Sequence, residues 1–285
     1  MKPAERALDG FREVVAAADA QIDLARAALE IARHAYPEID PAHYLAELDR
    51  LADGLAPVFR DTLPPVMQVQ TLSRYLFREN GFHPAQNAYY DPRNSYLNEV
   101  LDRREGIPIS LSLVYLEVGM RLGLPLAGIS FPQRFLVKHV SPAGEIIIDP
   151  FGEGRMLDDD ALIALLVEDG ENESQSEFDP ETLPDLLRAC SKRDLLLRWL
   201  RNLKGIYFHQ HLYGKALEIS TMIFALTPDL PIEIRDRGVI YEQMECARAA
   251  LADYERYLLV SHDIGDHTEI RQRVANLKHS VARLN

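Results

Sequence analysis

The chain has 285 residues, of which 47% are hydrophobic and 26% are charged, and its formal net charge at pH 7 is −13. This composition is ordinary for a globular protein with one large domain or two smaller ones. The negative charge and the lack of a basic patch predict no binding to nucleic acid, and Glu117 interrupts the longest apolar run, which predicts no membrane helix.

The first 80 residues are predicted to be helical. Leu24, Ala28 and Ile31 lie on one apolar stripe at helical spacing, a second helix starts after Pro41, and a third run covers about residues 66–77. A polar passage rich in turn-forming residues follows.

The stretch REGIPISLSLVYLEVGMRLGLP, residues 104–125, predicts a helix that is buried nearly all round. Pro108 suits the first turn of a helix, where the missing N–H of proline is not needed. Apolar residues cover two faces of the predicted helix. Gly123 and Pro125 are typical of a helix end.

Three short apolar runs come next, at residues 126–131, 134–140 and 145–149. Their lengths, their β-branched residues and the turn SPAG between the last two predict an antiparallel sheet packed on the helix. Between Arg155 and Arg188 the chain has no Lys or Arg but many acidic residues, and we predict an acidic linker with a short helix at 169–190. A docking strip for a basic partner is the alternative interpretation of this acidic segment.

The last part of the chain contains an internal repeat. Tyr207 and Tyr241 are 34 residues apart, as are Ala216 and Ala250, and Gly238 and Tyr254 complete the pattern of the second unit. This is the spacing of a tetratricopeptide repeat, in which small residues let paired helices approach and aromatic side chains fill the gaps. A terminal helix at about 266–283 is predicted to cap the two units.

The central helix, the strand after it and a later strand ending in Asp-Pro resemble the transglutaminase-like core. The resemblance implies a Cys at the start of the helix, a His on the next strand but one and an Asp on the strand after that. In this sequence those positions are Pro108, Arg134 and Asp149. More narrowly, residues 94–152 together with the repeats resemble the bacterial SirB-type regulator family, over about residues 60–265, and this implies a transglutaminase-like domain joined to tetratricopeptide repeats.

The residues at these positions argue against acyl transfer. Proline carries no nucleophile, and arginine cannot act as a general base because its pKa exceeds about 12. We therefore predict no enzymatic activity. For Asp149 we predict a structural role, either as the ion-pair partner of Arg134 or as a residue that stabilises the turn after its strand. A substitute set, Ser110, His139 and Asp149, is the alternative, although Ser110 is more typical of a helix cap and His139 of a strand end facing solvent.

A polar passage precedes the central helix and contains six residues with hydrogen-bonding side chains: Asp91, Asn94, Asn98, Asp102, Arg103 and Arg104. We predict a hydrogen-bond network in which the two arginines bind Asp91 and Asp102. Binding of an acidic group by the two arginines is the alternative.

Neither a metal nor a cofactor is predicted. Cys190 and Cys246 have no metal or redox spacing, and His209 and His211 flank one residue of a predicted helix and so point in different directions. The two cysteines fit a reducing compartment, and the first ten residues lack the apolar region of a signal peptide. A cytoplasmic location is therefore expected.

Together these features predict a mostly helical α+β protein in four segments: a helical region at 1–80, a transglutaminase-like core with a small antiparallel sheet at 81–168, the acidic linker at 169–190, and helical hairpins of the tetratricopeptide type at 191–285. The predicted function is a scaffold or regulator that binds protein partners through the repeats. Two alternatives are a hydrolase or acyltransferase that uses Ser110, His139 and Asp149, and a structural module that self-associates. The sequence does not predict an oligomeric state.

Overall fold

The computed structural model describes residues 3–60, 62–86, 89–168, 182–261 and 265–283. The α-helices are α1 (Pro3–Val15), α2 (Leu24–Ala35), α3 (Pro41–Leu55), α4 (Pro65–Ser73), α5 (Leu97–Arg103), α6 (Pro108–Arg121), α7 (Asp159–Glu168), α8 (Leu183–Leu186), α9 (Lys192–His209), α10 (Tyr213–Leu226), α11 (Pro231–Gln243), α12 (Ala247–Val260) and α13 (His267–Arg283). The strands are β1 (His83–Pro84), β2 (Glu105–Gly106), β3 (Leu126–Ile129), β4 (Leu136–Ser141), β5 (Gly144–Asp149) and β6 (Arg155–Leu157). The predicted α+β, mostly helical fold is confirmed.

The main sheet is antiparallel in the order β3-β4-β5-β6. Its register pairs Ile129 with Leu136 and Val137 with Ile148, and it places the apolar side chains of neighbouring strands opposite one another. The three strands predicted from the sequence are present. The fourth strand, β6, was not predicted, because three residues after a glycine-rich turn carry no alternating pattern. A two-residue parallel pair, β1 with β2, was also not predicted.

Helix α6 is the centre of the first part of the fold. Its residues Pro108 to Gly119 are buried, and it packs against α2, α3, β3 and β4. Pro108 occupies the first turn, as predicted, and Gly123 follows the helix with a φ of +79°. That backbone conformation strains residues that have a Cβ, which explains glycine at this position.

The corner after β5 packs against the end of α4. The chain of α4 continues as a π-helix, Arg74–Glu79, and Ser73 Oγ donates a hydrogen bond to the carbonyl of Gly154 at 3.3 Å. Arg78 forms an ion pair with Glu153 at 2.8 Å. Gly154 has a φ of +78°, and a Cβ at this position would lie 2.3 Å from Ser73 Oγ. Glycine is therefore required here both by the backbone and by the close contact.

The chain divides into two compact units, Met1–Trp199 and Leu200–Asn285. The division falls inside α9, whereas the sequence pattern placed the start of the repeats at residue 191. The four segments predicted from the sequence stay a prediction. The stretch 169–181 of the predicted acidic linker lies outside the described residues, and α8 follows it.

Trp199, the single tryptophan of the chain, belongs to the first unit. Its side chain is 0% exposed, and its Nε1 donates a hydrogen bond to the carbonyl of Ser95 at 2.8 Å. This bond ties the first part of α9 to the short 3₁₀ turn Pro92–Ser95.

The second unit has the repeat architecture that the sequence predicts. Helices α10, α11, α12 and α13 pack on one another in chain order, and α13 caps the repeats close to the predicted residues 266–283. Ala216 and Ala250 are fully buried. A Cβ on Gly238 would lie 2.7 Å from the Tyr254 ring, so this glycine lets α11 and α12 approach closely. The hydroxyl of Tyr254 donates to Glu242 at 2.7 Å.

Two further repeat positions behave as predicted. Tyr207 is buried on α9, and Tyr241 packs from α11 against the core that α12 and α13 share. In the described ranges, none of the helices has the length and apolar character needed to cross a bilayer.

Candidate functional site

Pro108, which the resemblance assigns to the nucleophile position, lies at the start of α6. Pro108 is buried there and presents only a pyrrolidine ring. Two residues later, Ser110 is also buried, and its hydroxyl is used by the fold. Ser110 Oγ accepts the N–H of Ile107 at 3.0 Å and donates to the carbonyl of Asn94 at 2.7 Å. Ser110 is therefore a helix-cap residue, as its position near a helix start suggests.

The two residues that the resemblance assigns to the base and its orienting acid, Arg134 and Asp149, form an ion pair. Arg134 donates from one guanidinium nitrogen to Asp149 Oδ2 at 3.0 Å, and the Asp149 side chain is only 2% exposed. Asp149 Oδ1 accepts the N–H of Phe151 at 3.0 Å and so caps the 3₁₀ turn Pro150–Gly152. Both structural roles predicted for Asp149 are confirmed. The Arg134 guanidinium also lies 5.2 Å from the centre of the Phe151 ring.

His139 does not face solvent, and that expectation is wrong. It lies on β4 with 2% of its surface exposed, because β4 is covered on this side by α4. Its Nε2 lies 3.1 Å from Gln68 Oε1. Burial lowers the pKa of His139 below its ordinary value, so the neutral ring is favoured.

The substitute set of Ser110, His139 and Asp149 is not assembled by hydrogen bonds. In the part of the chain that the structure describes, Ser110 bonds to the backbone near α5, His139 to Gln68 and Asp149 to Arg134 and Phe151. A serine nucleophile requires its base within hydrogen-bond reach.

The polar passage before α6 forms a set of pairs, but the partners predicted for the arginines are wrong. Arg103 donates to Asn94 at 3.0 Å and pairs with Glu105, and Arg104 pairs with Glu47 of α3 at 2.6 Å. The Arg104 guanidinium also lies 4.7 Å from the centre of the Phe82 ring.

The two aspartates of this passage have other partners. Asp91 pairs with Arg93 at 2.6 Å, which holds the pKa of Asp91 below its ordinary value. Asp102 accepts the hydroxyl of Tyr44 at 2.8 Å, and burial together with this bond raises the pKa of Tyr44 to about 12. Asn98 is buried on α5, with its Oδ1 shielded from solvent. The passage holds α3, α5 and the start of α6 together.

The second unit contains a pocket of about 240 Å³ between α9 and α11. Phe208, Val239 and Ile240 form apolar walls, and Lys204 and Asp236 stand beside them. These residues were not identified from the sequence. The available signal was the spacing of four residues between 204 and 208 and between 236 and 240, which places each pair on one face of the first helix of a repeat unit.

The charges beside this pocket are paired with one another. Glu233 is fully buried and accepts from Arg201 and from Lys204, each at 2.6 Å, and Lys204 also reaches Asp236 at 2.9 Å. Burial alone would raise the pKa of Asp236, but Lys204 and Arg235 lower it below its ordinary value. The pocket therefore combines apolar walls with a rim of paired charges.

No group of three or more His, Cys, Asp or Glu side chains that could hold a metal occurs among the residues described. Cys190 is partly buried and Cys246 is exposed, and both are free thiols.

Comparison with known proteins agrees with this architecture. A profile of the Transglutaminase-like superfamily matches residues 42–201, more than half of the chain, and a Tetratricopeptide repeat profile matches residues 203–275.

Bacterial relatives match over most of their length. The chain is 36% identical over 244 residues to a UPF0162 protein of Xylella fastidiosa, a match that covers 84% of each protein. It is 29% identical over 253 residues to UPF0162 protein YchA of Escherichia coli, covering 88% of this chain and 90% of that protein. It is 30% identical over 213 residues to Protein SirB1 of Salmonella typhimurium, covering 74% of this chain and 77% of that protein. The chain therefore belongs to the transglutaminase-like superfamily, in the family of SirB1 and UPF0162 proteins that joins this domain to tetratricopeptide repeats.

Proposed function

We propose that this protein is a non-catalytic scaffold or regulator that binds a peptide segment of a protein partner in the pocket between α9 and α11. The observation that carries the proposal is the apolar pocket on the facing helices of two repeat units. Tetratricopeptide repeats typically bind peptides or helices, and an apolar pocket with a few polar groups is the usual form of such a site. A partner side chain of aliphatic or aromatic type fits its walls.

The transglutaminase-like domain supports a non-catalytic function. Pro108 supplies no nucleophile, and Arg134 holds Asp149 in an ion pair where a base would be required. We infer that this domain now has a structural role, and that recognition of the partner belongs to the repeats.

Gly205 offers a direct test of the pocket. It lines the pocket, and a Cβ added there meets no atom within 4 Å, so the side chain of Gly205→Leu starts in open space and takes up pocket volume. Random peptides displayed on phage are selected against the full chain, and the affinity of the enriched peptides is measured. We expect Gly205→Leu to weaken binding by about tenfold or more, the loss of one well-placed contact.

Gly214→Leu is the matched control. Gly214 also lies in a repeat helix with no atom within 4 Å of an added Cβ, but it does not line the pocket. Its peptide affinity should stay within about twofold of the unmodified chain, as for a typical surface substitution. Equal affinities of the two variants, or a failure to enrich any peptide, would refute the proposed pocket.

A serine-reactive fluorophosphonate tests the hydrolase alternative. Because Ser110 is 0% exposed and its hydroxyl is bonded to Asn94, we expect no labelling at Ser110. Stoichiometric labelling that disappears in Ser110→Ala would replace the non-catalytic proposal by an enzymatic one.

A further inference from the structure

A second cavity lies in the first compact unit, and Pro108, Arg134 and Asp149 are not among its lining residues. It has a volume of about 170 Å³ and lies where the start of α2, the second half of α6, strand β3 and the start of α9 meet. Its walls are the side chains of Leu24, Leu116, Leu126 and Leu195, with Cys190 on one side and Met120 at its edge. Leu24, Leu116 and Leu195 are buried, so the floor of the cavity is apolar.

The polar groups at this cavity are already bonded within the protein. Lys192 Nζ donates to the carbonyls of Ala20 at 3.1 Å and Ile22 at 2.6 Å. Ser191 Oγ donates to Asp194 at 2.6 Å. A charged ligand would lose its water without gaining a partner, and this loss is costly. The chemistry of the walls therefore selects an uncharged molecule.

The volume sets the size of the ligand. Apolar cavities of about 150 Å³ in protein interiors bind a single benzene ring. Met120 is 38% exposed, and the flexible thioether of methionine adapts its shape to what it contacts, which suits a residue at the mouth of a binding cavity.

We propose that this cavity binds a small, uncharged apolar molecule about the size of one aromatic ring. All of its lining residues belong to the first unit, and the inference goes beyond the proposed peptide site and does not depend on it.

Benzene is the probe, added to the full chain up to its solubility limit. The methyl resonance of Met120 is followed by NMR and assigned with Met120→Leu. We expect it to shift and saturate as benzene is added. In Cys190→Leu, where a larger side chain occupies the wall, the saturable shift should disappear, and in the matched variant Cys246→Leu, changed at the exposed cysteine, it should persist.

A second measurement uses the reactivity of Cys190 in a Cys246→Ser background, where it is the only thiol. With benzene at ten times its Kd, the reaction of Cys190 with a disulfide reagent should slow about tenfold, since only the unoccupied fraction reacts. If Cys190→Leu does not fold, methylthiolation of Cys190 in the folded protein fills the cavity instead.

A Met120 resonance that does not saturate, or a saturable shift that survives in the filled cavity, refutes the proposal. Unchanged Cys190 reactivity in the presence of benzene refutes it as well.

Discussion

Arg134 and Asp149, which the transglutaminase-like resemblance assigns to the positions of a base and its orienting acid, form an ion pair. The Asp149 side chain is 2% exposed and the Arg134 side chain 24% exposed, so the pair is only partly solvated. We expect Asp149→Asn to lower the free energy of unfolding by about 2 kcal/mol, measured by urea denaturation. This is less than for a fully buried pair, because Arg134 reaches water and an asparagine still caps the turn at Phe151.

Asp185→Asn is the control for this prediction. Asp185 pairs with Arg188 at 2.7 Å, but both side chains are exposed, 68% and 79%. Its loss should change the free energy of unfolding by less than about 1 kcal/mol. Similar effects of the two substitutions would show that the Arg134–Asp149 pair does not stabilise the domain.

His139 predicts a loss of stability at acid pH. Burial lowers its pKa in the folded protein below the value of about 6.5 in the unfolded chain. The unfolded chain therefore binds more protons in this range, and the free energy of unfolding falls as the pH drops below about 6.5. Unfolding of the protein and of His139→Gln, compared between pH 7.5 and 5.5, measures this effect. A pH dependence that is the same in both proteins would contradict it.

The sequence identified residues whose roles depend on a fixed local motif. Pro108, Arg134 and Asp149 were located by their positions relative to one helix and two strands, and the ion pair followed from their chemistry. The partners of Arg104 and Asp102 were not predictable, because Glu47 and Tyr44 lie more than 50 residues earlier and meet them only after α3 has packed on α5.

At the scale of elements, the turn after β5 depends on one glycine. In Gly154→Ala the new methyl group would lie 2.3 Å from Ser73 Oγ, and the residue has a φ of +78°. We expect the free energy of unfolding to fall by about 3 kcal/mol. Roughly 1 to 2 kcal/mol of this is the cost of a positive φ, and the remainder comes from the clash. Thermal and urea unfolding measure the loss.

Gly123→Ala separates the two costs. Gly123 has a φ of +79°, but no atom lies within 4 Å of an added Cβ. The free energy of unfolding of Gly123→Ala should therefore fall by only about 1 to 2 kcal/mol, the cost of the positive φ alone. If both alanine variants lose the same stability, the contact between Gly154 and Ser73 has no energetic weight.

Elements with a strong pattern were predicted well. Helix α6 was expected from its first proline to its terminal glycine, and strands β3, β4 and β5 from their β-branched runs. Strand β6 and the π-helix at Arg74–Glu79 were not predicted. A strand of three residues and a single π-helical turn are too short to leave a periodic pattern in the sequence. Strand β6 is defined by its pairing with β5, in which Asp149 faces Arg155.

At the scale of the whole molecule, charge controls solubility. The net charge of −13 at pH 7 keeps molecules apart, and the sequence pI is about 5.2. We expect solubility to pass through a minimum near that pH and to rise again at lower pH, measured by turbidity at constant protein concentration. A minimum far from the pI would indicate that acid unfolding and exposed apolar surface control solubility instead.

The repeat architecture was visible in the sequence because its period of 34 residues repeats the same small and aromatic residues. The pocket between α9 and α11 was not visible in the sequence, since its walls come from two repeats whose facing sides become neighbours only when the repeats pack. The 34-residue period identifies the repeat helices, but the pocket depends on how these helices pack in three dimensions.

The position of Trp199 gives the protein a built-in optical reporter. As the single tryptophan, enclosed in the first unit and bonded to Ser95, it emits from one environment, and its emission moves to longer wavelength when that environment opens to water. Circular dichroism, in contrast, records helices along the entire chain. Denaturation curves from the two signals coincide if the molecule unfolds in one step and separate if its two units melt independently.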